Sequence, residues 1–297
     1  MGEQEFIRAE HINKTFSKQG KKIKAVDDVS LELYRGECFG LIGESGSGKS
    51  TLANVIAGLE KADSGAVYMD GPGGKINLLD AGNRKIQKEY CQKRQMIFQN
   101  PRLSFNPAMT IGKGLEEGVR YYTKIPAARR KELALENLEL VGLKREYYDR
   151  HSSELSGGEC QRAAIARALM IEPEFLICDE ITSALDVSVQ AQIMSLFMEI
   201  QKKKKMTCLF ISHDLALVSS ICNRIAVMYN GKIVMDDTPE EVYKRVEELE
   251  EMNIGIPQIT HLTYTLMKKG IPLPKVAIHV SEAEEMLANI LTKEKNL

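Results

Sequence analysis

Between residues 5 and 42 apolar and polar positions alternate, in "FIRAEHINKTF" and again in "AVDDVSLELY", around the polar loop "SKQGKKIK". A period of two belongs to half-buried strands, so the pattern predicts antiparallel strands joined by a turn. The run "CFGLIG" (38–43) is apolar throughout, as suits a strand buried on both faces in a parallel sheet. Behind it "LANVIAGL" switches to helical spacing. A mixed stretch from about 75 to 97 closes on the short strand "QMIF". From 101 to 170 the 3.6 period returns in "IGKGLEEGV", "AARRKELALENLELVGL" and "GGECQRAAIARALM", which predicts a helical insert.

Two more apolar runs, "FLICD" (175–179) and "TCLFISH" (207–213), flank the helical segment "VQAQIMSLFMEIQ". That is the rhythm of parallel βαβ units. "RIAVMYNGKIVMDD" (224–237) predicts a hairpin at Asn230-Gly231, a pair that tolerates the positive φ of a two-residue turn. Beyond it "PEEVYKRVEELEEM" is charged and helical. The expected fold is α/β, a parallel-sheet core with an N-terminal antiparallel β-subdomain and a helical insert subdomain at about residues 100–170. Residues 1–240 are expected to form the main domain and 241–297 a C-terminal appendage.

Composition removes some function classes. A chain of 297 residues can bury one large α/β core. Its 40 basic and 41 acidic residues leave a formal net charge of −1, which gives no electrostatic case for nucleic acid. The run Lys202–Lys205 reads as a solvated helix end. Six scattered cysteines (Cys38, Cys91, Cys160, Cys178, Cys208, Cys222) form no C-x-x-C pair and no zinc or iron–sulfur spacing, so reduced thiols in a cytosolic protein are expected. No apolar run suits a signal peptide, and nowhere do the ~18 consecutive apolar residues of a membrane helix occur. These features fit a soluble protein that docks on a membrane partner.

The chemistry begins at "GESGSGKS" (43–50), a full match to G-x-x-x-x-G-K-[ST] between a buried strand and a helix. Gly43, Gly46 and Gly48 let successive N–H groups turn inward, and the helix N-terminus adds partial positive charge. Lys49 can reach β- and γ-phosphates, and Ser50 can ligate Mg²⁺. "FLICDE" then delivers Asp179 and Glu180 at the carboxyl end of a buried strand, where α/β sheets bind ligands. Asp179 suits a Mg²⁺ ligand acting through water, and Glu180 a general base for an attacking water. A second anion-ready helix start, "HSSELSGGECQR" (151–162), lies on the helical insert.

The phosphate loop, "FLICDE", "LSGGE" (155–159) and "ISHD" together resemble the nucleotide-binding subunits of ATP-binding-cassette transporters, over roughly residues 5–237 and in that family's order. The resemblance implies a P-loop NTPase fold, with ATP and Mg²⁺ as cofactors. It implies that Phe16 stacks on adenine, although a strand phenylalanine is otherwise an ordinary core residue. Gly43, Glu44, Ser45, Gly46, Ser47, Gly48, Lys49, Ser50 and Thr51 would surround the phosphates, and Ser50, Gln99 and Asp179 the metal. Gln99 matches the glutamine that senses Mg²⁺ and the attacking water, and His213 the switch histidine on the γ-phosphate. With Glu180 and Lys49 they make up the implied catalytic set. Ser156, Gly157, Gly158 and Asp186, the last in "SALD" (183–186), would act in trans on the nucleotide of a second cassette. Two positions depart from the commonest family pattern: Glu159 replaces a glutamine and Ile181 a proline. Neither removes a ligand.

The resemblance further implies a dimer with a second ATPase subunit, identical or related, and separate transmembrane permease subunits. Membrane contact would run through the permease alone, at the cytoplasmic face of the cell membrane. Within the family, "FQNPRLSFNPAMTIG", "TSALDVSVQAQI" and "RIAVMYNGKIV" look most like oligopeptide, dipeptide and nickel importer ATPases. The tail "NIGIPQITHLTYTLMKKGIPLP" instead resembles energy-coupling-factor ATPases of vitamin and metal uptake, or a diverged "HPYT" element of the peptide group. Two rivals are a non-transport cassette acting on ribosomes or DNA and a regulatory cassette without turnover. The single cassette and near-zero net charge weigh against the first, and Glu180 with His213 against the second.

Overall fold

In the computed structural model, which describes residues 4–18, 20–71, 74–80, 84–183 and 185–294, the N-terminal alternation folds as β1 (Glu5–Lys18) and β2 (Lys21–Tyr34). The predicted loop "SKQGKKIK" is mostly strand. The antiparallel ladder continues to the pair Lys18 and Lys21, so the connection shrinks to residues 19–20. Lys21 to Lys24 are solvent-exposed, so no alternation betrays this end of the ribbon as strand. Next come β3 (Cys38–Ile42), α1 (Lys49–Ala57), β4 (Ser64–Gly71) and β5 (Gly74–Asn77). The mixed stretch before the insert resolves into α2 (Arg84–Lys93) and β6 (Arg94–Ile97).

The insert contains α3 (Ile111–Tyr122), α4 (Ala127–Leu140) and α5 (Gly157–Leu169). The chain returns to the core as β7 (Phe175–Asp179), α6 (Val187–Lys204), β8 (Thr207–Ser212) and α7 (Leu215–Ile221). Strands β9 (Arg224–Tyr229) and β10 (Lys232–Asp237) form the expected hairpin, with φ of 47° at Asn230 and 80° at Gly231. Helices α8 (Pro239–Tyr243), α9 (Val246–Glu251), α10 (Gln258–Lys268) and α11 (Val280–Glu294) complete the chain.

Two sheets result, ordered β2-β1-β4-β5 and β10-β9-β3-β8-β7-β6. In the second, β9, β3, β8, β7 and β6 are parallel and β10 runs antiparallel beside β9. Period-two geometry sends successive side chains of the buried strands to opposite faces. Phe39, Leu41, Phe175, Ile177, Leu209 and Ile211 pack with α1 and the antiparallel sheet. Cys38, Ile42, Leu176, Cys178, Cys208 and Phe210 pack on the other face, with α5, α6 and α7. The parallel sheet therefore separates α1 from α5.

Val242, Tyr243 and Leu249 fasten α8 and α9 to the main core. Helices α10 and α11 have a small core of their own around Leu273, Ala277, Ala283 and Met286. There the buried Thr260 Oγ1 donates to Ala277 O (2.8 Å), and Ala277 N donates to Thr263 Oγ1 (3.0 Å). Among the described residues no helix is long and apolar enough to cross a membrane.

Candidate functional site

Strand β3 ends at Ile42, and residues 43–48 turn directly into α1. Gly48 sits before the first helical residue with φ of 109°, and a Cβ there would lie 2.1 Å from Ala25 O, so only glycine fits. Lys49, 5% exposed, donates from Nζ to Gly43 O (2.7 Å) and Glu44 O (2.8 Å). Burial pushes its ammonium pKa down, while Glu180, Asp179 and Glu44 pull it back. The Ser47 hydroxyl is buried with no hydrogen-bond partner among the described residues. Glu44, Ser45 and Gly46 form the exposed rim, and Thr51 is half-buried on α1. An exposed rim over a buried lysine, an orphan hydroxyl and a helix N-terminus suits a phosphate chain.

The end of β7, separated from β3 by β8, supplies the acids. Ser50 Oγ donates to Asp179 Oδ1 at 3.1 Å. Burial raises the Asp179 pKa, partly offset by the Ser50 hydrogen bond, with Glu180 raising it further and Lys49 lowering it. Among the described residues no cluster of His, Cys, Asp and Glu could hold a metal alone. The Ser50 and Asp179 pair nonetheless suits Mg²⁺, which keeps several waters and takes its remaining ligands from substrate phosphates.

Glu180 follows with φ of 47°, a conformation uncommon outside glycine, while its N–H donates to Ile211 O (3.0 Å). The carboxylate is engaged at both oxygens. Gln99 Nε2 donates to Oε2 at 2.6 Å, and His213 Nδ1 lies 3.3 Å from Oε1. Gln99 also reaches Ser183 Oγ at 3.4 Å, and that hydroxyl donates to Glu180 O (3.0 Å). Lys49, Ser50, Gln99, Asp179, Glu180 and His213 thus gather at the carboxyl edge of the parallel sheet. A groove of about 740 Å³, lined by Arg35, Lys202 and Lys205 among others, opens at the opposite edge, away from this chemistry.

Phe16 is 38% exposed on β1, with Lys14 Nζ 5.1 Å from its ring centroid. It is therefore not a core residue.

Ser156 opens α5 on the other side of the sheet. Its hydroxyl accepts from Glu159 N (3.4 Å) and donates to Glu159 Oε2 (2.8 Å), which also accepts from Ser156 N (2.8 Å). This capping box stabilises a helix start by about 1 kcal/mol. Tyr147 donates a short hydrogen bond to the same carboxylate and, with the two Ser156 donors, lowers its pKa. Ser156 and Gly157 are exposed. Gly158 has a packing reason too, because a Cβ there would meet Val189 Cγ1 at 2.6 Å. Asp186 caps α6 by accepting from Val189 N (2.9 Å). Ile181 is buried in the core, 1% exposed.

The residue pattern could have yielded Ser183, which lies in "SALD" beside the acids. Tyr147 carried no signal, since an aromatic in a helical insert is ordinarily core.

A profile of the ABC transporter family matches residues 26–183, more than half of the chain. An oligopeptide transport ATP-binding protein of Bacillus subtilis is 43% identical over 242 residues, covering 81% of this chain and 78% of its own length. One from Haemophilus influenzae is 38% identical over 282 residues, 95% of this chain and 80% of its own. A solved dimeric ATP-binding cassette in a post-hydrolysis state, bound to ADP and Pi, superposes with a TM-score of 0.70 at 27% identity, covering 78% of this chain and 98% of that one. The cbiO1 protein of Clostridium perfringens, part of the ABC transporter complex cbiONQ, gives 0.71 at 27% identity, covering 88% and 100%. With this fold, this phosphate loop and these relatives, the chain belongs to the ABC transporter ATP-binding family and is an ATPase subunit of that class.

Proposed function

We propose that the chain powers import of short peptides, working as a dimer of cassettes on separate transmembrane subunits at the cytoplasmic membrane face. The observation that carries the catalytic part is the meeting of Gln99, Glu180 and His213 beside Lys49, Ser50 and Asp179. Lys49, the glycines of the loop and the N-terminus of α1 bind the phosphates, and Phe16 stacks on adenine. Ser50 and Asp179, with Gln99, would hold Mg²⁺, which would neutralise phosphate charge when bound. Glu180 accepts the proton of the attacking water while Gln99 fixes its orientation. His213 turns from Glu180 to the γ-phosphate.

Ser156, Gly157, Gly158 and Asp186 serve the nucleotide of the facing subunit. The parallel sheet between α1 and α5 supports this reading, because the helices that follow the phosphate loop and the signature pack on its opposite faces. Binding then favours the closed pair through contacts from both halves. The peptide assignment rests on the oligopeptide transporters among the relatives. Helices α10 and α11, with their own small core, form the C-terminal appendage proper.

The test is isolation from detergent-solubilised membranes through a tagged chain, with uptake of a labelled tripeptide by intact cells. The expected result is co-purified transmembrane subunits and ATP-driven uptake lost on Glu180→Gln. Recovery with ribosomal RNA or DNA and without membrane protein would overturn it in favour of a non-transport cassette.

A further inference from the structure

The start of α5 carries one hydrogen bond more than its cap needs. Ser156 N and Ser156 Oγ both donate to Glu159 Oε2 (2.8 Å each), and the hydroxyl accepts from Glu159 N (3.4 Å), so the capping box is complete on a single carboxylate oxygen. The other oxygen, Oε1, takes a further proton from the Tyr147 hydroxyl. Tyr147 lies in the 3₁₀ turn Arg145–Asp149. Its ring is partly buried against the core, and the Arg150 guanidinium, paired with Glu146 (2.8 Å), stands 4.3 Å from the ring centroid. Packing and the stacked arginine hold the ring and so aim its hydroxyl at Glu159.

A serine hydroxyl has one proton to donate. While Ser156 gives it to Glu159 it has none for a phosphate oxygen, so engaging a nucleotide requires the hydroxyl to change acceptors. How readily it does so depends on how strongly Oε2 attracts a proton. A donor on Oε1 draws charge from the whole carboxylate, because hydrogen bonds to the ionised form stabilise it and weaken it as a base. The Tyr147 hydroxyl is the largest influence holding the Glu159 pKa down, ahead of the two Ser156 donors, with burial opposing them. The same bond raises the pKa of the Tyr147 phenol and keeps it a donor.

We propose that Tyr147 is a positioning residue for Ser156: by occupying Oε1 of Glu159 it loosens the hold of Oε2 on the serine hydroxyl, which then turns to the γ-phosphate of the facing subunit. The inference rests on the reading above that Ser156 serves a neighbour's nucleotide. Ser156 N keeps its bond to Oε2 throughout, so α5 stays capped while the hydroxyl changes partner. Tyr147 touches no nucleotide and acts through Glu159 alone.

The test is Tyr147→Phe, which deletes the hydroxyl and keeps the packed ring, made both in the wild-type chain and in Glu159→Gln. In the wild-type chain it should weaken ATP-driven dimerisation, read by sedimentation velocity, by about three- to fivefold, with a matching fall in kcat. ATP affinity of the single chain should stay within about twofold of wild type. In Glu159→Gln, where no carboxylate holds the serine, the same substitution should change dimerisation by less than about twofold. A hydroxyl that only stiffened the helix start would not be rescued in this way. Dimerisation of Tyr147→Phe at wild-type strength, or a loss that persists undiminished in Glu159→Gln, would overturn the role of Tyr147. If Ser156→Arg leaves turnover intact, the reading of Ser156 itself falls and takes this inference with it; if it abolishes turnover while Tyr147→Phe behaves as wild type, only the inference falls.

Discussion

Two helix starts in this molecule are built for anions, and they differ in how complete they are. At α1 the lysine is buried, its ammonium is held by two carbonyls of its own loop, and the strand-end acids stand beside it. At α5 the serine is exposed, no lysine or acid pair belongs to it, and a glutamate ties down the hydroxyl that would meet a phosphate. The first is nearly a whole site. The second is a fragment with Ser156 and Gly157 exposed, as a surface that completes a neighbour's site would require. Residue pattern marks both as anion sites, the family resemblance implies different nucleotides for them, and α1 and α5 pack on opposite faces of the sheet.

Changes at α1 should therefore act within the chain, and changes at α5 between chains. The largest effect is expected from Lys49→Ala, which removes the only cation buried in the loop and weakens ATP binding on the order of a hundredfold or more by equilibrium titration. Near-wild-type affinity would break the account of α1. Glu180→Gln should cut steady-state turnover about a hundredfold or more, while binding persists and an ATP-bound dimer accumulates on size exclusion. Unchanged turnover would move the general base elsewhere.

A smaller effect is expected at Glu159, where glutamine keeps the capping geometry but removes a negative charge beside the incoming phosphate. The group is half-buried at the helix start, and Glu159→Gln should tighten ATP-driven dimerisation by no more than about threefold. Sedimentation velocity reads this directly; a loss of helix content instead would show that the cap needs the charge. The smallest change concerns a comparable carboxylate at α11. Burial raises the pKa of Glu282, but hydrogen bonds from Lys275 and from the N–H groups of Ile278 and His279 outweigh it and bring it to about 2. Its folded pKa is depressed, so its stabilisation is present above the unfolded value near 4.5 and fades as pH falls towards 2. Amide exchange in α10 and α11 should rise over that window in wild type and respond less in Glu282→Gln.

Most of this architecture was legible because it rests on strong local signals. The apolar runs at 38–43, 175–179 and 207–213 each became a buried parallel strand, and the 3.6 period at 101–170 became the insert. The hairpin followed from Asn230-Gly231. The segment read as a loop at 17–24 failed because both faces of that ribbon end are wet, leaving nothing to alternate. At the site, residue type and spacing found the acids and the phosphate loop. They could not reveal that Glu180 takes a positive φ, that Gln99 binds it directly, or that Tyr147 secures Glu159. Gln99 meets Glu180 only because β6 and β7 pair in the sheet, and Tyr147 meets Glu159 only through the fold of the insert.

The central claim is that the α5 start works on a neighbour's nucleotide and the α1 start on its own. Ser156→Arg tests it most directly, with ATP affinity and steady-state turnover measured on one preparation. The account predicts affinity of the single chain within about twofold of wild type, with hydrolysis and ATP-driven dimer closure abolished. Turnover that survives the substitution, or ATP binding by the monomer that falls together with it, would contradict the claim.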